Sequence, residues 1–197
     1  MDATQIAQIA LALALGVSLS ASCGFRVFIP PLILSGASMA GFVDLSSDFA
    51  WMSTWQATLG FATAAVAEVA AYYIPAVDNL LDTIAGPASA VAGAVMTAAL
   101  IGGDVDPALR WALAAIAGGG TAFATTSSTA TIRAASTTTT AGLGNGLFST
   151  LEAVVATLLS IVAIALPVLG FVLAVVIVVT IARSIGRIRS KRSETTA

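Results

Sequence analysis

Histidine is absent from this 197-residue chain, and cysteine occurs once, as Cys23. The first absence removes the commonest transition-metal ligand and the usual general base at neutral pH; the second rules out an intrachain disulfide framework. Charge is also scarce: 9% of residues are charged, against about 25% in an ordinary soluble domain. So little charge cannot cover a soluble surface. Eight basic and ten acidic residues give a net charge of -2, and the basic ones gather mostly at one end, which leaves no basic face for nucleic acid. No metal site and no cofactor are expected. With no credible Ser/Lys or Cys/His pair and no paired aspartates in facing helical motifs, no enzymatic activity is expected either.

What is present in quantity is apolar: 58% of residues are hydrophobic and the mean hydropathy is +0.98. Apolar segments recur along the whole length, so removal of one as a signal peptide would leave the others. The expected fold is therefore all-α, a polytopic transmembrane helix bundle whose first partner is the lipid bilayer.

Spans of about 20 apolar residues are needed to cross the hydrocarbon. The first is expected from Gln5 to Ile29, ended by Pro30 and Pro31, which remove two backbone donors. Leu32 to Phe42 is too short to cross and reads as interfacial or re-entrant; Val43 to Trp55, with Asp44, Asp48 and Trp51, reads as an external loop. Gln56 to Ile74 and Gly86 to Ile101 are the second and third spans, joined by a connector that holds Asp78 and Asp82. Asp106 followed by Pro107 marks a helix start. That fourth helix runs through Gly118, Gly119 and Gly120 to about Thr140, and a turn follows over Ala141 to Gly146. The last apolar tract, Leu147 to Ala182, has 36 residues with Pro167 and Gly170 near its middle. Two spans joined by a tight turn are expected there, for a total of six. One transmembrane domain over 1–185, with halves 1–103 and 104–185, would then precede a basic tail over 186–197. Arg183, Arg187, Arg189, Lys191 and Arg192 put that tail in the cytoplasm by the positive-inside rule, with the protein in the cell's inner (plasma) membrane.

Polar residues recur on the first and fourth helices. Ser18, Ser22 and Arg26 stand four apart, and Thr125, Thr129 and Arg133 repeat the order hydroxyl, hydroxyl, arginine at the same spacing. Each set is followed by a glutamate on the next helix, Glu68 or Glu152. Three helices per half would make the halves inverted repeats, a plan many transporters use. A charge at the centre of a membrane helix costs about 2.5–3.5 kcal/mol, so pairing is expected, Arg26 with Glu68 and Arg133 with Glu152, or crosswise, with hydroxyls completing the guanidinium donors. Such pairs can fix helix packing, or they can line a polar cavity that binds an anion. Residues 132–152 (IRAASTTTTAGLGNGLFSTLE) join a cation, hydroxyls, a glycine-rich turn with Asn145, and a helix N-terminus that favours anions. The plainer reading of the same stretch is a connecting loop, with Ser149 and Glu152 as a capping box. Asp78 and Asp82 fit either a cation path or ordinary helix-start carboxylates.

GFRVFIPPL (24–32), PAVDNLLD (75–82) and the run from STTTTAGLGNG to STLE (136–152) together resemble a family of small bacterial and archaeal membrane proteins known only as a domain of unknown function. The resemblance covers nearly the whole chain. It implies a compact multi-helix membrane protein and marks Arg26, Asp78, Asp82, Arg133, Asn145 and Glu152 as motif positions. One departure stands out: Gly86 and Pro87 occupy the start of the third helix, where a basic residue is expected, which leaves Asp82 without the partner the family pattern would give it.

The function expected is that of a small transporter or channel for an ion or small anionic solute, lipid head groups included. Arg26 and Arg133 would bind; Glu68, Glu152, Asp78 and Asp82 would act as counter-charges or proton carriers; and Ser22, Thr129 and Asn145 would supply neutral polar groups. The alternative is a membrane scaffold held by structural ion pairs, whose small-residue faces would also allow a homo-oligomer.

Overall fold

The computed structural model describes residues 3–102, 105–140 and 145–194, excluding the side chains of residues 75, 76, 78–80, 82, 134–140, 145, 181, 182 and 184–194. Within them the chain is helical throughout: α1 (Ala3–Cys23), α2 (Ile29–Met39), a 3-10 turn (Ser47–Ser53), α3 (Trp55–Ala71), α4 (Pro75–Leu100), α5 (Pro107–Leu113), a π-helical turn (Ala114–Gly119), α6 (Gly120–Thr140), α7 (Asn145–Ala165) and α8 (Pro167–Glu194). Three stretches are long and apolar enough to cross a membrane, namely α1, Thr83–Leu100 of α4 and Gly146–Ala165 of α7; Ile29–Met39 and Pro167–Thr180 are shorter apolar helices. The surface they present is itself apolar, with Val66, Val91, Ile116, Leu147 and Val168 all largely exposed.

The first expected span ends early. α1 stops at Cys23, and the amides of Phe25 and Arg26 close a last turn on the Ser22 carbonyl at 3.0 and 3.1 Å. Gly24 explains the stop, because a Cβ there would lie 2.4 Å from Thr125 Cβ and 2.6 Å from the Ala122 carbonyl oxygen of α6. The chain turns away at this crossing, so Arg26 lies in a break between helices and not on the α1 face with Ser18 and Ser22. Pro30 and Pro31 open the first turn of α2, where the missing donors are harmless. With 11 residues and a rise of about 1.5 Å each, α2 is too short to cross. It ends in a Schellman cap, with Gly41 at φ 78° and the Phe42 amide donating to Ala37 O at 2.9 Å.

The expected external loop contains the 3-10 turn, which seals one end of the bundle by burying Phe49 and Met52. The Ser46 amide donates to Ala99 O at 2.8 Å, Arg110 pairs with Asp48, and Phe49 meets Trp111 with ring centroids 6.1 Å apart. α3 begins at a Thr54 cap that accepts from the Ala57 amide. α4 starts at Pro75, so Asp78 and Asp82 belong to its first turns and not to a connector; their side chains lie outside the described residues.

Asp106 caps α5 as expected, accepting from the amides of Ala108 and Leu109 at 2.9 and 3.2 Å. α5, the π turn and α6 then follow without interruption. The π turn falls where the helix meets α4: a Cβ on Gly118 would lie 2.3 Å from Thr97 Oγ1 and 2.5 Å from Gly93 O, and one on Gly93 would lie 2.7 Å from Ala122 Cβ. Ser20 Oγ of α1 donates to Gly93 O at 2.7 Å and lies 3.0 Å from Thr97 Oγ1, tying the third helix into the same seam. The expected turn at 141–144 lies outside the described residues. The final tract divides at Leu166 as expected, with a bend tight enough that a Cβ on Gly170 would lie 2.5 Å from Ala163 Cα.

Candidate functional site

The C-terminal half of α1 is the centre of the bundle, packed against α4, α6, α7 and α8. The break that follows it carries Arg26 inward, where it is fully buried. Its Nη2 donates to Ser149 O at 2.9 Å and Ser149 Oγ at 2.7 Å, and lies 3.0 Å from Glu152 Oε2. Arg133, on α6, reaches the same carboxylate oxygen from its own Nη2 at 2.8 Å. Both guanidinium groups lie against the ring of Tyr72, at 4.0 and 4.5 Å from its centroid, within cation–π range. One carboxylate and one aromatic ring thus hold two buried cations together.

Glu68 takes a different part from the one expected. Its Oε1 accepts from the Val27 amide at 2.8 Å and its Oε2 from the Phe28 amide at 3.1 Å, so it serves the orphan donors ahead of α2 and forms neither of the anticipated ion pairs. The hydroxyls differ too. Ser22 Oγ bonds back to Ser18 O and Thr129 Oγ1 to Thr126 O, each within its own helix, while Ser149 of α7 supplies the hydroxyl at Arg26. Ser149 and Glu152 are not a capping box either, since α7 begins at Asn145 and puts both in the helix body facing the arginines. The Asn145 side chain lies outside the described residues.

The structure adds Tyr72, Ser149 and Thr126 to the residues singled out by sequence. Thr126 Oγ1 stands 2.9 Å from Gly24 O and 2.7 Å from Ser89 Oγ, linking the helix break to α4 and α6. Tyr72 was legible as an aromatic at the end of α3, though nothing marked it as a platform for cations. Beside it a niche of about 10 Å³, lined by Glu68, Tyr72, Thr126, Thr129 and Arg133 among others, offers space for roughly one water. Beyond Glu68 and Tyr72 the gap between α3 and α4 holds two apolar cavities of about 380 and 580 Å³, which share Val27, Phe28, Ile84 and Ala88. Arg26 Nε and Nη1 are buried without a hydrogen-bond partner. Among the described residues no group of three or more Cys, Asp or Glu could hold a metal ion.

An all-helical chain with membrane-length apolar helices around two buried arginines is the class that fold and site define. The family model for a domain of unknown function (DUF4126) matches residues 13–187, and the chain belongs to that family. No curated protein and no solved structure matches it.

Proposed function

We propose that this protein is a small multi-pass transporter or channel of the plasma membrane that handles an anion, with Arg26 and Arg133 as its binding cations. The observation that carries this reading is the hydrogen-bond imbalance at the centre. Two guanidinium groups converge on one oxygen of Glu152, the second carboxylate is spent on backbone amides, and Arg26 keeps two buried donors unused. An unwound segment beside such a cation pair is how many transporters build a site, and an incoming anion would compete with Glu152. The niche of about 10 Å³ makes this a closed arrangement. The reading includes six spans over 1–185 and a cytoplasmic basic tail over 186–197. Two hydroxyl–arginine sets meeting at one glutamate support related halves, although Arg26 sits off its helix and Arg133 on one.

The same closed pairs favour a second reading, a scaffold whose arginines only lock helices together. Flux of radiolabelled phosphate into proteoliposomes separates the two. Under the transport reading, Arg26→Gln and Arg133→Gln abolish flux while the protein stays monodisperse in detergent. Absence of flux in the wild type, or loss of folding in step with loss of flux, selects the lock.

A further inference from the structure

We infer that the groove between α3 and α4 takes the alkyl chain of an anionic membrane lipid whose phosphate head group reaches Arg133 and Arg26 past Tyr72 and Glu68. This rests on the anion reading above and names its substrate class. The polar niche shares Val27, Glu68, Tyr72 and Ala85 with the cavity of about 380 Å³, so the wall between groove and arginines is built largely from two side chains of the α3 end, Glu68 and Tyr72.

That wall is lightly anchored. α3 packs on α2, the 3-10 turn and α7 but makes no extended contact with α4, and Ala65 is its single buried residue. Its polar ties are few, chiefly Glu68 to the Val27 and Phe28 amides and Thr58 to Ser35. A shift of α3 would therefore open the groove directly onto the cations. A hydrated small ion would have to shed its water along an apolar passage to follow that route. An amphiphile matches both parts: its chain meets Ile84 and Ala88, and its charge meets the guanidinium pair, including the unused Nε and Nη1 of Arg26.

Trp51 lines the larger cavity and reports on its contents. A full-length protein carrying Trp55→Phe and Trp111→Phe, with Trp51 as the only remaining tryptophan, would be reconstituted in phosphatidylcholine vesicles containing phosphatidic acid with dibrominated chains. Trp51 quenching should saturate at about tenfold lower lipid fraction than with dibrominated phosphatidylcholine, the preference that charge-assisted hydrogen bonds give. Arg133→Gln should remove the preference and Arg133→Lys should retain part of it; Ala88→Phe should remove the saturable quenching. If Ala88→Phe loses monodispersity, Ala64→Phe narrows the same groove from the α3 side. Equal quenching by both lipids, or a preference unchanged by Arg133→Gln, overturns the assignment. So does a Trp51 shielded from both lipids in a crosslinkable dimer, which would make the occupant a second copy. Preferential quenching without phosphate flux would overturn transport and leave the lipid site standing, and flux without the preference would do the reverse.

Discussion

The two sides of α4 are built by opposite rules. Toward α1 and the π turn, Gly93, Thr97 and Gly118 bring backbones so close that a single added carbon meets backbone or Oγ atoms at 2.3–2.7 Å. Toward α3 the same helix faces a groove into which Ile84 and Ala88 project. Helices in lipid gain little from the hydrophobic effect and associate through close packing and hydrogen bonds; the first side has both, and the second has neither. The contrast divides the molecule into a fixed part, α1–α4–α6, and a part free to move, α3 with Glu68 and Tyr72. The arginine centre lies on the boundary, with Arg26 and Arg133 on the fixed side and the ring that covers them on the other.

Substitutions can break this contrast, and their expected effects are graded. Glu152→Gln removes the anion that two buried cations share, and breaking such a pair costs about 3–5 kcal/mol; thermal unfolding in detergent should show the largest loss here. Gly118→Ala forces a methyl against Thr97 and Gly93 and should cost about 1–3 kcal/mol by the same measurement. A Gly118→Ala protein as stable as the wild type would mean that the seam yields, and the division into fixed and movable parts would fail. Tyr72→Leu keeps apolar volume but removes the ring face, with an expected loss of about 0.5–2 kcal/mol and faster exchange of the Val27 and Phe28 amides. At the sealed end of the bundle, Asp48→Asn breaks the Arg110 pair, but the Asp48 side chain is 61% exposed, so the change should stay within about 1 kcal/mol.

Much of the helix inventory was legible because apolar length and helix-stop chemistry are local properties. Asp106 with Pro107 and the break before Pro167 could be placed from neighbours alone. The end of α1 could not, because Gly24 stops it through contact with Thr125 and Ala122, about a hundred positions away. Arg26, Arg133 and Glu152 were visible as costly charges that had to be paired. Their actual arrangement was hidden, since a carboxylate can satisfy guanidinium or backbone donors equally well, and only the fold decides that Glu68 takes amides and Glu152 takes both arginines. Arg110 drew no notice beside a helix cap, yet it is buried against Asp48.

The π turn at Ala114–Gly119 sets the phase of everything after it. Relative to an uninterrupted α-helix, a π-bulge adds one residue to a turn, which advances the following helix by about 100°. Removing one of Gly118, Gly119 and Gly120 would restore ordinary winding but swing Arg133 about a quarter-turn away from Glu152. The glycine run thus works as a spacer of fixed length, and its residue count, as much as its smallness, aims the second arginine at the first.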